Sequence, residues 1–406
     1  MSGSNRYSPA CASSFAGAVF CGLALAAALI PLPLAASPAV APVPPQSTLA
    51  EGPLVQRVAV FGKDERKPLP QSLASVAAKI GVLHDKRSHS VCTAFCVAPG
   101  VVATAAHCLY RTSEEAPLRL SGFTVQLNGS KVKSRIAGAA EGVPEPNVLA
   151  GSMRLKVRPP IDATHDWALV RLEKPLCQSG SLKLSRRPVD DVIRMARAGK
   201  VYNIAYHRDL PKWEPMLTTG CSVRRNFADA DWETVRRDFA DPAQLILHTC
   251  DTGGASSGSP LFVNGPDGPE VVGINVGTYV QSKVVMLNGE VVHRFKSDDV
   301  ANTGVSSLAF ASALASFQRA DILASRSDIL KLQQELAGRG LYKGAHDGIY
   351  GTATKLAIEE FERAAQLPVT GLATSRTLQV LTGESAVVTG VLPTSALTTT
   401  IARKPR

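Results

Sequence analysis

Aromatic residues are scarce in this chain, 5% of 406, so a nucleic-acid surface built from base-stacking rings is not expected. Charged residues are few, 19%, while 45% of positions are hydrophobic, and that balance excludes wholesale disorder. No two cysteines stand in the short C-x-x-C spacing of a zinc knuckle, so neither a structural metal nor a cofactor is expected. Beyond one stretch near the N-terminus, no apolar run is long enough to cross a bilayer. The charge that is present leans positive, Lys+Arg 44 against Asp+Glu 34 for a net +10, which suits an anionic partner.

At roughly 150 residues per domain, the length points to two or three folded units. The start reads as an export signal: Arg6, then Phe15 to Ala36 almost wholly apolar, then small residues with Ala39-Val40-Ala41 as a cleavage site. An uncleaved membrane anchor is the alternative, although Pro31 and Pro33 interrupt the run. Residues 1–41 are therefore expected to be signal and Pro-rich start, and 42–57 a linker or propeptide. The protein is placed in the periplasm, at the cell wall or outside the cell, touching a membrane only if the signal stays. Cleavage removes Cys11 and Cys21 and leaves Cys92, Cys96, Cys108, Cys177, Cys221 and Cys250. An even number in an exported chain favours disulfides, with fifteen connectivities open.

Residues 58–318 read as β-rich. Phe123-Thr-Val-Gln-Leu, Asn128-Gly129 and Lys131-Val-Lys have the grammar of a hairpin, repeated around Asn288-Gly289. Further strands are expected at Gly100–Thr104, Trp167–Leu172, Val201–Tyr206, Leu245–His248 and Val271–Tyr279, and helix only near Ser306–Phe317. From about 325 to 383 the period changes to helical. Ser325-x-x-Asp328 opens one helix, Thr352 caps a second carrying Ala357, Ile358, Phe361 and Ala365, and Thr374 caps a third. The stretch 384–406, ending in Arg403, Lys404 and Arg406, reads as a disordered basic tail.

Three motifs carry chemistry: Thr104-Ala-Ala-His107-Cys108 at the end of an apolar strand, His165-Asp166 before another, and Gly253-Gly-Ala-Ser-Ser257-Gly-Ser-Pro260 in a turn of small residues. A serine that attacks a carbonyl needs a base for its proton, and that base needs a carboxylate to hold its tautomer. Small residues let backbone N–H groups approach the oxyanion. A lone histidine, acid or Gly-Ser turn is usually structural; the three in this order are not easily so.

At these residues the chain resembles the trypsin-like, chymotrypsin-fold serine proteases, and among them the bacterial glutamyl endopeptidases. The resemblance implies a mostly β fold, a double six-stranded barrel with the site in the cleft between barrels. It implies His107 as general base, Asp166 as orienting acid and Ser257 as nucleophile, with the N–H groups of Ala255 and Ser257 as the oxyanion hole. It also implies a Cys92–Cys108 disulfide; with that pair set, Cys96–Cys177 in the first barrel and Cys221–Cys250 in the second are expected. Asp251 and Asn275 fall where the family lines its primary specificity pocket, although a structural role for Asp251 is equally open. The chain departs from the family at Ala255, usually Gly, at Ser256, where trypsin has Asp, and at Asn275, where glutamyl endopeptidases have His.

Tyr342-x-Gly344, Asp347-Gly348-x-Tyr-Gly351, Thr354, Phe361 and Leu367-Pro-x-Thr-Gly371 resemble the three-helix peptidoglycan-binding-like domain, with Glu362 where that family often has Gln. The two resemblances imply an exported serine endopeptidase acting on protein or peptide and held on peptidoglycan by its C-terminal module. The competing expectations are a catalytically impaired wall-binding protein using the barrel as scaffold, and a hydrolase of wall peptides.

Overall fold

The computed structural model describes residues 59–110, 120–138, 147–227, 231–287 and 290–383, with backbone alone over 280–300. The expected signal, linker and tail, and the Asn288-Gly289 turn, lie outside the described residues.

Strand β1 (Lys67–Pro68) and the one-turn helix α1 (Ala74–Ala77) lead into a seven-stranded antiparallel sheet: β2 (Ile80–Asp85), β3 (Ser90–Ala98), β4 (Val101–Thr104), β5 (Phe123–Leu127), β6 (Lys133–Arg135), β7 (Val148–Ala150) and β8 (Ala168–Arg171). Their order is β6-β5-β2-β3-β4-β8-β7. Just past β6 and β8, Ile136 bridges Leu172, and Ala137 N–H reaches Arg171 O at 2.9 Å. That bridge closes six of the strands into a barrel and leaves β7 as an added edge on β8. Alternation drives this packing: in β5, Phe123, Val125 and Leu127 are buried while Thr124 and Gln126 are half-buried. The hairpin partner of β5 begins at Lys133, paired with Gln126, two residues later than the alternation suggested; the chain between turns back with Ser130 N–H on Leu127 O at 3.1 Å.

The second sheet adds β9 (Lys183–Leu184), then α2 (Val189–Arg197), β10 (Val201–Ala205), β11 (Met216–Thr219), α3 (Trp232–Val235), β12 (Leu245–His248), β13 (Pro260–Gly265), β14 (Gly268–Leu287) and β15 (Glu290–Ser306). Strands run β1-β11-β10-β13-β14-β15-β12, with β9 on β14, and a Val223–His248 bridge closes the central six. The architecture is thus mostly β, two curled sheets as in the chymotrypsin fold. Helix α2 corrects the expectation of no helix before 306. Val189, Val192 and Ala196 are buried, with Asp190 and Asp191 in the first turn and Arg194 and Arg197 in the last, an amphipathic and dipole-matched pattern that was readable.

Helix α4 (Leu308–Arg319) packs Phe310 and Phe317 into the barrel core. Beyond it, α5 (Arg326–Gly338), α6 (Thr352–Ala364) and α7 (Ser375–Thr382) enclose their own core of Ile329, Leu332, Leu336, Ile358, Phe361 and Leu381. Ser325 and Thr374 cap α5 and α7 through Asp328 N–H and Thr377 N–H, each at 3.0 Å. Helix α6 differs from expectation: Gly351 stands at its cap and Thr352 is its first helical residue. Buried Gln333 ties the Asp347-Gly348 turn, accepting Gly348 N–H at 2.9 Å and donating to Asp347 Oδ1 at 3.0 Å. Glu362 accepts Gly371 N–H at 2.8 Å and Thr370 Oγ1 at 2.7 Å, and burial raises its pKa.

Candidate active site

Strand β4 ends at Thr104, and the buried Ala105 and Ala106 turn the chain into a short 3-10 helix that carries His107. Cys108, next in sequence, is bonded to Cys92 on β3, which anchors this turn to the barrel wall. A second 3-10 helix, Ala163–His165, delivers Asp166 to the mouth of β8. Asp166 receives His107 twice: Oδ1 accepts the backbone N–H at 2.9 Å, and Oδ2 stands 2.7 Å from ring Nδ1. Two bonds to one carboxylate fix both the position and the rotation of the imidazole. Nδ1 carries the proton, leaving Nε2 as a free base. Burial works against the charged ring, but the Asp166 charge and hydrogen bond outweigh it and raise the His107 pKa above its ordinary value.

Ser257 is half-buried in the turn before β13. Thr93, on β3, anchors that turn to the first barrel: its N–H donates to Ser257 O at 2.9 Å, and its Oγ1 donates to Ala255 O at 2.8 Å. Thr104 Oγ1 donates in turn to Thr93 O at 2.8 Å. Gly258, at φ +82°, is required here, since a Cβ would lie 2.2 Å from Thr93 O and 2.3 Å from Thr104 Oγ1. The nucleophile turn therefore sits directly against the strand end that carries His107. Thr93 had no signal in the sequence, because a threonine inside a strand looks like any other β-former.

Ala255 adopts φ +78°, the left-handed region that the family reaches with glycine. Among the described residues, neither Ala255 N–H nor Ser257 N–H has an acceptor. Behind the turn a hydrogen-bonded chain runs through buried groups. Cys250 N–H donates to His248 Nδ1 at 3.3 Å, so Nε2 is the protonated nitrogen and donates to Asn275 Oδ1 at 3.1 Å. Asn275 Nδ2 then donates to Ser256 O at 3.2 Å and Ser256 Oγ at 3.3 Å. Burial lowers the His248 pKa to about 4, so the ring stays neutral. Asn275 is 2% exposed; it braces Ser256 rather than presenting its amide to a substrate.

Asp251 is also corrected as a pocket residue. It is 2% exposed, and both oxygens are occupied by backbone donors, Phe61 N–H at 3.0 Å and Glu65 N–H at 2.7 Å. The cavity beside His107, about 360 Å³, is instead lined by apolar Leu155, Val157, Ile161, Phe239 and Val276, with Tyr279. The remaining cysteines among the described residues pair as Cys96–Cys177 and Cys221–Cys250. The one grouping among the described residues with metal-ligand spacing is Cys92, His107 and Cys108, and its two sulfurs are consumed in a disulfide.

Residues 92–274 match the model of the trypsin-like peptidase domain. The chain carries a trypsin-like peptidase domain. Residues 325–381 of the same chain match the putative peptidoglycan binding domain. Two curated Bacillus cereus sequences, each described as a spore cortex-lytic enzyme, are 41% identical over 58 residues, 14% of this chain. The chain thus spans 22% of those relatives' length. A solved structure of Glu endopeptidase in complex with MPD superposes with a TM-score of 0.42 at 16% identity, over 64% of this chain and 97% of that one.

Proposed function

We propose that the peptidase domain is a serine endopeptidase whose catalytic residues are His107, Asp166 and Ser257. Ser257 Oγ attacks the scissile carbonyl carbon and passes its proton to His107 Nε2. The Ala255 and Ser257 N–H groups receive the oxyanion. His107 hands the proton to the leaving amine, and water, activated by the same nitrogen, hydrolyses the ester to release the acid and restore Ser257. The observation that carries this reading is the double hydrogen bond from His107 to Asp166. The module at 325–383 holds the enzyme on peptidoglycan outside the cytoplasm, a location that the three disulfides also favour. No described helix is long and apolar enough to cross a membrane.

The test is labelling by a fluorophosphonate, which esterifies only an activated serine. The native chain should label, and Ser257→Ala and His107→Ala should not. A chain that folds, binds sacculi and fails to label is a scaffold instead.

A further inference from the structure

A groove of about 450 Å³ opens between the first barrel and the loop that follows β10. Strand pairing ties it to the nucleophile turn. Lys133 on β6 pairs with Gln126 on β5, Gln126 with Val82 on β2, and Val82 with Thr93 on β3. Paired residues share one face of a sheet, so these four form a single row. Lys133, Gln126 and Val82 line the groove. Thr93, at the far end of the row, binds Ser257 O and Ala255 O, and its Oγ1 accepts Tyr206 N–H at 3.1 Å. Three strand spacings of roughly 4.8 Å put Lys133 about 14 Å from Thr93. An extended polypeptide covers that length in about four residues. The apolar cavity beside His107 shares no lining residue with this groove.

The lining has a chemical character of its own. Trp213 is 51% exposed, and its ring is tilted on Tyr206 with centroids 5.5 Å apart. Tyr206 is buried and donates its hydroxyl to Asn128 Oδ1 at 3.3 Å. The indole is therefore braced from behind and open to water in front, which suits the apolar side chain of a partner. Among the described residues, no acidic side chain lines the groove. Burial, and then the charges of exposed Lys133 and Lys86, lower the pKa of half-buried His84, so the ring is neutral and the positive charge rests on the lysines. Neighbouring acids are already engaged. Asp85 accepts Ser88 N–H at 3.0 Å and Ser88 Oγ at 2.6 Å, and Glu214 lies 3.9 Å from Lys212.

We propose that this groove binds the substrate polypeptide itself, about four residues beyond the scissile bond on the leaving-amine side, taking an aromatic or apolar side chain against Trp213 and a carboxylate at Lys133. Continuity with the nucleophile turn and the uncompensated positive charge name this occupant. Val91, also in the lining, adjoins Cys92, whose disulfide holds the turn of His107; that ring hands its proton to the leaving amine. The inference rests on the peptidase reading above and deepens it: the preferred substrate is an acidic polypeptide, selected partly at a distance from the bond.

The probe is a library peptide that the native chain cleaves, lengthened after the bond with Phe-Glu-Glu at the third to fifth positions, against the same peptide lengthened with Ser-Gly-Ser. The acidic extension should raise kcat/KM about tenfold, almost wholly through KM, and salt should shrink the gain. Trp213→Ala, an exposed change, should reduce the ratio to about twofold or less. Lys133→Glu should reverse the charge preference, so that Phe-Lys-Lys outperforms Phe-Glu-Glu, a reversal that lost packing alone would not produce. Three outcomes overturn the groove while library cleavage leaves the peptidase standing. They are equal kcat/KM for the two extensions, an equal gain when Phe-Glu-Glu precedes the bond, and a gain abolished by the amino-sugar disaccharide of sacculi, which would make this a sugar site. A native chain that cleaves no library peptide removes both readings.

Discussion

Asp251 Oδ1 accepts the backbone N–H of Phe61 at 3.0 Å, across 190 residues of sequence. Around that bond the N-terminal segment is fastened to the turn that leads to Ser257. Ala59 and Thr252 exchange two backbone bonds of 3.0 Å. Arg66, its side chain 3% exposed, pairs with Asp209 at 2.7 Å beside Gly253, where a Cβ would meet Asp209 Oδ1 at 2.0 Å. Trypsin braces its nucleophile turn with an acid just before the serine; here Ser256 stands at that place, and the brace comes from residues 59–66.

Two substitutions follow from that geometry. Asp251→Ser should leave the cleavage profile on a peptide library unchanged and lower the unfolding midpoint, because it removes a structural acceptor. Arg66→Met strands two partly exposed carboxylates and should cost about 2 kcal/mol. Its kcat should fall about tenfold with KM little altered, since the loop and not the cleft is loosened. A profile that loses basic preference in Asp251→Ser would return that residue to the pocket.

The His107–Asp166 pair sets the acid limb of activity. Its raised pKa means that the neutral ring, the form that accepts the Ser257 proton, dominates only above the ordinary value of about 6.5. Measured kcat/KM should therefore rise with pH through a midpoint above 6.5. The sign for stability is opposite: the pair's contribution is complete below about 6.5 and is lost as pH rises through the folded pKa. Asp166→Asn should move the limb downward and cost about 10⁴ in kcat through the wrong tautomer. An acid limb unmoved in Asp166→Asn would break the assignment.

Most of the candidate site is legible because the proposed chemistry sits in contiguous strings: His107 beside Cys108, Asp166 at a strand entrance, Ser257 in a turn of small residues. What the sequence hid is contact between distant strings. Thr93 and Gln333 act as hubs only once strands or helices bring them to a turn, and a lone polar residue advertises no such partner. Asp251 was placed in the pocket by its offset from Ser257, but offset says nothing of which way the carboxylate faces. Phe61 and Glu65, whose N–H groups claim it, lie far upstream with no pattern of their own.

Ala255 tests the oxyanion turn. A left-handed alanine costs about 1 kcal/mol relative to an unstrained one, and glycine removes that strain at a similar entropic cost. Ala255→Gly should therefore stay within about 1 kcal/mol of the parent and keep its turnover. Ala255→Val cannot hold φ +78° with a branched Cβ, so the peptide should flip and withdraw a donor. A loss of about 10² in kcat is expected, with KM nearly constant. Equal turnover in all three proteins would remove Ala255 N–H from the reaction.

Acid should undo the fold through two histidines that catalysis does not use. His207 is 1% exposed with neither ring nitrogen hydrogen-bonded; burial, reinforced by Arg66, lowers its pKa to about 4. His248, fully buried behind the nucleophile turn, is lowered to about 4 by burial. In the unfolded chain both would take a proton near the ordinary value of about 6.5. Stability is therefore complete above that pH and falls toward pH 4, by at most about 1.4 kcal/mol per pH unit for each ring. Denaturant titrations between pH 7 and pH 4 should show this slope. His248→Gln, which cannot charge, should flatten it by one proton's worth, even if the variant is less stable at pH 7. An identical slope in His248→Gln would mean that the ring is already protonated in the folded chain, and the neutral chain from Cys250 through His248 and Asn275 to Ser256 would have to be redrawn.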